Sequence, residues 1–275
     1  MLKFPAWLAV AALACLVLVP VPGIPFLWVH RLFGDVLENS AHPVIFALLA
    51  WFAYRATGRP VLVFLLAAVL GGGTEILQHF IGRDASWFDF GNDLLGAGFS
   101  LSLAQWWTRR WRLAWLGLGG LCALLAALPM GVTLVAYASQ AERFPLLWDQ
   151  DSVLDRLFAS ETGPPYPGFS LDEPIHDWRG FRALQVDLVS GADESLDVAM
   201  RVHDGHHNQE YSDRYNETFR LKPRSWQRIE VPLRRIELAP RGRKMDLSAV
   251  RAVMLFRQSD DPARSFQVQA VRLVR

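Results

Sequence analysis

The stretch GGGTEILQHFIGRDASWFDFGNDLLG, Gly71 to Gly96, follows directly on the apolar run PVLVFLLAAVL and decides how the first half of the chain is read. It places Glu75, His79, Arg83, Asp84, Asp89 and Asp93 where a membrane-crossing helix is already under way. Polar groups at that depth are costly unless paired or turned toward a wet cavity. On a helix, Glu75, Gln78 and His79 share one face, at i, i+3 and i+4. Asp89, Asp93 and Gly96, at i, i+4 and i+7, share a face of the next helix. The connector IGRDASW is short enough to bring the two faces together, and His42 begins the preceding apolar run. The simplest arrangement that satisfies these groups is one convergent site of His42, Glu75, Gln78, Arg83, Asp89 and Asp93.

Composition agrees with a membrane setting. Hydrophobic residues make up 52% of the 275, high for a water-soluble domain. The charges are unevenly placed, with only eight of the 28 basic and six of the 27 acidic residues in the first 140 positions. The chain therefore divides into a membrane half and a soluble half. A net charge of +1 and the lack of a basic stripe argue against nucleic acid as a partner. Cys15 and Cys122 both lie in apolar runs and form neither a disulfide framework nor a metal-ligand spacing, so no metal and no cofactor is expected.

Five apolar runs approach the length that a helix needs to cross a bilayer: Phe4–Val21, Ala41–Tyr54, Pro60–Phe80, Asn92–Trp107 and Leu113–Tyr137. The first is read as a retained helix, because Lys3 is its sole basic residue and AALAC is a poor cleavage box. Lys3, then Arg55 and Arg59, then the RRWR cluster at 109–112 all fall on one side if the N-terminus is cytoplasmic. Five spans then put the 71–96 stretch at the outer surface and everything after Tyr137 outside the cell membrane.

Three segments are expected: a transmembrane domain over 1–140, an interfacial helix and linker over 141–168, and an extracytoplasmic antiparallel β-sandwich over 169–275. In the middle segment Phe144, Leu147, Trp148, Val153, Leu154, Leu157 and Phe158 have the spacing of one apolar helix face, and a plain connector is the alternative. The cluster ETGPPYPG marks a boundary. Beyond it the period becomes two, in ALQVDLV and SLDVAMRV, then in NETFRL, SWQRIEVPL, AVMLFR and SFQVQAVRLV. Short strands separated by turn signals, with no helical pattern between them, imply a sandwich. Trp178, Tyr211, Tyr215 and Trp226 are candidates for a sugar-stacking platform, with core packing as the alternative. HDGHH, which holds His203, Asp204, His206 and His207, reads as a solvated turn rather than a metal site.

ENSAHPVIF followed by TEILQHFIGRDASWFDFGNDLLGAG resembles the signature of the VanZ-like membrane family. The matching positions are His42, Phe46, Glu75, Gln78, Arg83, Ser86, Asp89, Asp93 and Gly96, with Glu38 and Asn39 where the family usually has Asp-Lys. The resemblance implies an envelope membrane protein, with a role in teicoplanin-type resistance as one possibility. The C-terminal half resembles, more weakly, galactose-binding-like and carbohydrate-binding jelly-roll modules. Membrane lipids and an envelope glycan, lipid-linked sugar or glycopeptide are the partners implied. Two alternatives accompany this binding function. One is an enzyme on a lipid-linked envelope substrate, with Glu75, Asp89 and His42 as catalytic candidates. The other is a proton-coupled transporter or flippase component.

Overall fold

The computed structural model describes residues 31–80, 86–108, 112–163, 166–172, 174, 177–257 and 265–275. The expected first span, Phe4–Val21, and Arg83 lie outside these residues. The chain divides into two compact units, Met1–Thr133 and Leu134–Arg275.

The first unit contains helices α1 (Arg31–Thr57), α2 (Pro60–Phe80), α3 (Trp87–Thr108) and the first part of α4 (Arg112–Arg143). Gly58, at φ +66°, ends α1, and its N–H reaches the Tyr54 carbonyl at 2.7 Å, the left-handed cap that glycine favours. Ser86 starts α3, its Oγ accepting the Asp89 N–H at 3.3 Å. Phe46, Ala50, Val63, Ala67, Ala97 and Leu101 form the core where α1, α2 and α3 meet. The backbones of α1 and α3 touch at Gly96: a β-carbon there would lie 2.7 Å from both Cα and C of Pro43, and nearer still to its carbonyl oxygen.

Polarity in this unit runs opposite to that of a water-soluble bundle. Asn92, Asp93, Ser100, Ser102 and Gln105 of α3, with Thr74 and Glu75 of α2, are buried. Val61, Leu65, Leu66 and Val69 of α2, and Leu116, Leu121, Leu124 and Leu128 of α4, are exposed. Among the described residues, α2 (over Pro60–Leu77) and α4 are long and apolar enough to cross a membrane. The other two expected spans, Ala41–Tyr54 and Asn92–Trp107, fall inside the longer, more polar α1 and α3.

The second unit is a sandwich of two antiparallel sheets. The first, ordered β1-β9-β4-β7, comprises β1 (Leu146–Asp149), β9 (Phe266–Val274), β4 (Ala183–Ser190) and β7 (Trp226–Pro232). The second, ordered β2-β3-β8-β5-β6, comprises β2 (Ala159–Thr162), β3 (Gly168–Asp172), β8 (Val250–Arg257), β5 (Leu196–Asp204) and β6 (Tyr215–Leu221). The alternating residues behave as their period requires. Leu184, Val186 and Leu188 of β4 and Val198, Met200 and Val202 of β5 are buried, with Val253, Leu255 and Val271. The short helix α5 (Leu233–Glu237) adds Leu233 and Ile236 to the same core.

The described residues of 144–168 correct the sequence reading, for they form strands and one 3₁₀ turn in place of an interfacial helix, while 141–143 end α4. Leu147 and Trp148 are buried in β1, Phe158 closes a single 3₁₀ turn, and β2 follows at once. Of the three short strands here, β2 and β3 form a hairpin in the five-stranded sheet, and β1 joins β9 in the other. Asp155, fully buried, holds this entry: its Oδ2 accepts the Asp149 N–H at 2.8 Å and Arg143 Nη1 at 3.0 Å. At the other end of β5, Arg243 bridges two buried carboxylates. Its Nη1 and Nη2 meet Asp204 at 2.6 and 2.8 Å, and its Nε and Nη2 meet Asp213 at 2.5 and 3.0 Å.

Candidate functional site

The polar face of α3 meets α1 and α2 inside the helical unit. His42 Nδ1 lies 3.2 Å from Asp93 Oδ1, and Asp93 is fully buried. A β-carbon on Gly71 would lie 2.8 Å from Asp93 Oδ2, so glycine in α2 makes room for the carboxylate. One turn further along α2, Glu75 Oε2 accepts the backbone N–H of Ser86 at 2.7 Å and ties that face to the start of α3. Glu75 and Asp93 each spend one oxygen in this way; Glu75 Oε1, Asp93 Oδ2 and Asp89 Oδ1 are buried without a hydrogen-bond partner among the described residues. The structure brings His42, Glu75, Asp89 and Asp93 to one region of the helical unit. The side chain of Gln78, like Arg83, lies outside what is described. Among the described residues no group of three or more His, Cys, Asp or Glu side chains is arranged to hold a metal ion.

The four aromatic candidates of the sandwich do not form a platform. Trp178 is fully buried, its backbone N–H held by the Leu247 carbonyl at 2.9 Å, and it fills the core. Tyr215 is 4% exposed, and its hydroxyl donates to Glu217, which Arg235 also engages. Tyr215, Glu217, Arg235 and Leu238 line a cavity of about 600 Å³. Only Tyr211 and Trp226 are exposed, and they stand apart. Trp226 belongs to β7 with the Arg228 guanidinium 5.1 Å from its ring centre, whereas Tyr211 precedes β6 of the other sheet and carries Arg214 at 5.2 Å. Strand alternation explains the difference, because residues 226 and 228 face outward from β7 while 229 and 231 are buried.

An aromatic pair that the sequence reading passed over lies on the outer face of the five-stranded sheet. Tyr166 packs edge-on against Phe256 with ring centres 5.5 Å apart, and Tyr166 is 54% exposed. Register places Thr162, Gly168, Phe256, Ala199 and Thr218 in one row across all five strands, and Ser160, Ser170, Met254, Arg201 and Asn216 in the next. Asp172, Ala252 and His203 continue the face. No pattern in the sequence marks these rows, because pairing between distant strands creates them.

HDGHH is only partly a solvated turn. His206 is exposed, but the His207 side chain is 2% exposed and packs at a tilt against His203 with ring centres 4.9 Å apart. His207 Nδ1 lies 3.0 Å from the Asp213 carbonyl oxygen and therefore carries the proton, leaving Nε2 to accept from Arg201 Nη2 at 3.2 Å. Burial, with Arg201, His207 and Arg214 adding to it, pulls the His203 pKa down to about 4. An unfolded chain protonates this residue near pH 6.5. Between those values the unfolded state binds the extra proton, so the stability the sandwich has above pH 6.5 is expected to fall as the pH drops toward 4. Denaturant unfolding at pH 7.5, 5.5 and 4.5, with His203→Gln as reference, measures it; the variant should lose less stability over that interval.

No family model matches the sequence, and no curated protein matches it. Solved structures similar to part of the chain include the family 11 carbohydrate-binding module from Clostridium thermocellum, in complex with a β-1,3-1,4-mixed-linked tetrasaccharide. It is 18% identical, covering 42% of this chain and 71% of that one, with a TM-score of 0.31. An exo-β-agarase is 15% identical over 40% of this chain and 18% of its own, with a TM-score of 0.31.

Proposed function

We propose that the chain is a multi-pass protein of the cytoplasmic membrane, VanZ-like in its helical unit, that binds an envelope glycan or lipid-linked sugar. In this reading α1 to α4 and the preceding apolar run are the five spans, the N-terminus is cytoplasmic, and the sandwich is extracytoplasmic. The outward-facing leucines and valines and the buried acids of the helical unit support a lipid surround. The observation that carries the binding function is the set of three buried carboxylate oxygens, on Glu75, Asp89 and Asp93, that lack a donor among the described residues. A buried acceptor without a partner costs free energy that a hydroxyl-rich or ammonium-bearing headgroup removes by donating to it. In the sandwich, Tyr166 and Phe256, with Thr162 and Thr218 at the ends of the same row and Ser170 and Asn216 in the next, supply a face on which a sugar ring stacks while its hydroxyls are bound.

Native mass spectrometry of the full chain in nanodiscs tests this directly. A lipid-linked sugar should co-purify, and Glu75→Gln or Asp93→Asn should reduce its retention about ten-fold or more, with an unchanged or higher unfolding temperature. Wild-type retention in both variants would refute the assignment.

A second reading, an enzyme on the same substrate, draws on His42 and Asp93. A carboxylate that accepts from Nδ1–H leaves Nε2 as a base. It requires that Asp93→Asn keep the bound lipid while a product peak present with the wild type disappears.

A further inference from the structure

We propose that the outer face of the five-stranded sheet seats the anionic group of an acidic glycan, a carboxylate or phosphate, on the Arg201 guanidinium beside His203 and Arg214. The inference rests on the glycan-binding reading of the sandwich and says which glycans it takes.

Arg201 sits at the middle of its row, between Met254 of β8 and Asn216 of β6. Several other arginines of the sandwich are neutralised, among them Arg228 and Arg272 by Asp187, Arg220 by Asp197, and Arg243 by Asp204 and Asp213. No carboxylate of the described residues is within ion-pair distance of Arg201. Its Nη2 reaches only the neutral His207, and its Nε is buried with no acceptor. His203 Nδ1, beside it on β5, is also buried and unpartnered. Of the acids on this face, Asp172 is two strands away, about 10 Å at ordinary strand spacing. Both its oxygens are taken by the Ser160 and Ser170 hydroxyls at 2.9 and 2.6 Å. Arg214, whose Nε is bound to Asn216 at 3.1 Å, adds a second positive charge. Burial and Arg214 lower the Arg201 pKa below the ordinary guanidinium value, as expected of a cation without its counter-ion.

A half-buried guanidinium without an anion is unfavourable in the free protein and becomes favourable when a ligand supplies one. The planar fork suits a carboxylate or phosphate better than a hydroxyl does. Phe256 stands opposite Ala199, two residues from Arg201, about 7 Å along the strand. A sugar stacked on Tyr166 and Phe256 therefore carries its acidic substituent, or that of its neighbour, to Arg201.

Calorimetry on the full chain in nanodiscs, with three probes of equal length, tests the proposal: an oligogalacturonate, a neutral cello-oligomer and a glycerol-phosphate oligomer. An acidic probe should bind at least about ten-fold more tightly than the neutral one. Arg201→Gln should remove that advantage while changing neutral binding less than two-fold, as one lost charge-assisted contact predicts. Its unfolding temperature should equal or exceed that of the wild type, because an uncompensated charge has gone. Should Arg201→Gln misfold, His203→Gln gives the second reading, with a loss of about three-fold on the acidic probe alone. Whether uronate or phosphate gains more identifies the natural anion. Equal binding of neutral and acidic probes, both weakened by Tyr166→Ala, would leave the glycan reading standing and overturn the anion seat. Absence of binding by all three would overturn both.

Discussion

Replacing Gly96 by alanine is expected to unfold the helical unit or prevent its accumulation. The added methyl would be placed 2.7 Å from Cα and C of Pro43, and these are backbone atoms that cannot rotate aside. Relief requires α1 and α3 to separate by an ångström or more, at a cost of at least about 3 kcal/mol, the upper end of ordinary overpacking. The damage would reach the site, because the same crossing brings His42 of α1 to Asp93 of α3 at 3.2 Å. Gly73 is the control. It lies in α2, and a β-carbon there meets nothing within 4 Å. Gly73→Ala should therefore be neutral, or stabilising by up to about 1 kcal/mol through helix propensity. Thermal unfolding of both variants in the same detergent separates the packing effect from the general effect of adding a methyl group. Equal stability of the two would show that α1 and α3 do not meet at Gly96.

The second large effect is expected at Arg243. Its guanidinium lies between Asp204, which is 1% exposed, and Asp213, and Asp204 also accepts the Asp246 N–H at 2.7 Å. Arg243→Met leaves a buried carboxylate with no counter-charge, a change that typically costs about 3–5 kcal/mol. The pH dependence identifies the cause. Arg243 and the Asn208 N–H hold the Asp213 carboxyl down to about 2, and Arg243 with backbone donors also lowers Asp204. In the wild type both acids therefore contribute stability above about pH 4, the unfolded value, that is lost as the pH falls toward 2. In Arg243→Met the acids protonate more readily, so the penalty should be largest at neutral pH and shrink on acidification. The double variant Asp204→Asn, Arg243→Met should recover part of the loss at pH 7. Urea unfolding of the three proteins at pH 7 and pH 4 measures this, and a penalty independent of pH would implicate lost packing instead.

The strands that the sequence announces are the long ones. ALQVDLV and SLDVAMRV show several periods of two and become β4 and β5, and the four later alternating runs become β6 to β9. The strands β1 and β2 have four residues each, too few to display a period, and the apolar residues around them happen to fall at helical spacing. Their placement is decided by pairing, β1 with β9 and β2 with β3, which no local pattern encodes. The acids of the helical unit were legible because charge inside an apolar run is conspicuous wherever the chain folds. For Trp178 the core alternative holds: its neighbours Asp177 and Arg179 are exposed and pair with each other, while the indole itself turns into the core. The Arg201 face was invisible for the complementary reason: its members come from five strands, and each alone is an unremarkable outward residue.

The position of β9 in its sheet bears on how the protein is made. Phe266–Val274 lies between β1 and β4, so β1, which is synthesised more than a hundred residues earlier, has no other strand partner among the described residues. Until that late segment has left the ribosome, the sheet exists as a lone β1 and a β4–β7 pair, with unmatched backbone along both. A stop codon immediately before Phe266 would leave the outer face of the other sheet intact in sequence and yet give no folded sandwich to display it. Those edges stay unpaired for the whole interval, and arrest of synthesis just before β9 should be the point at which the nascent chain is most prone to aggregate.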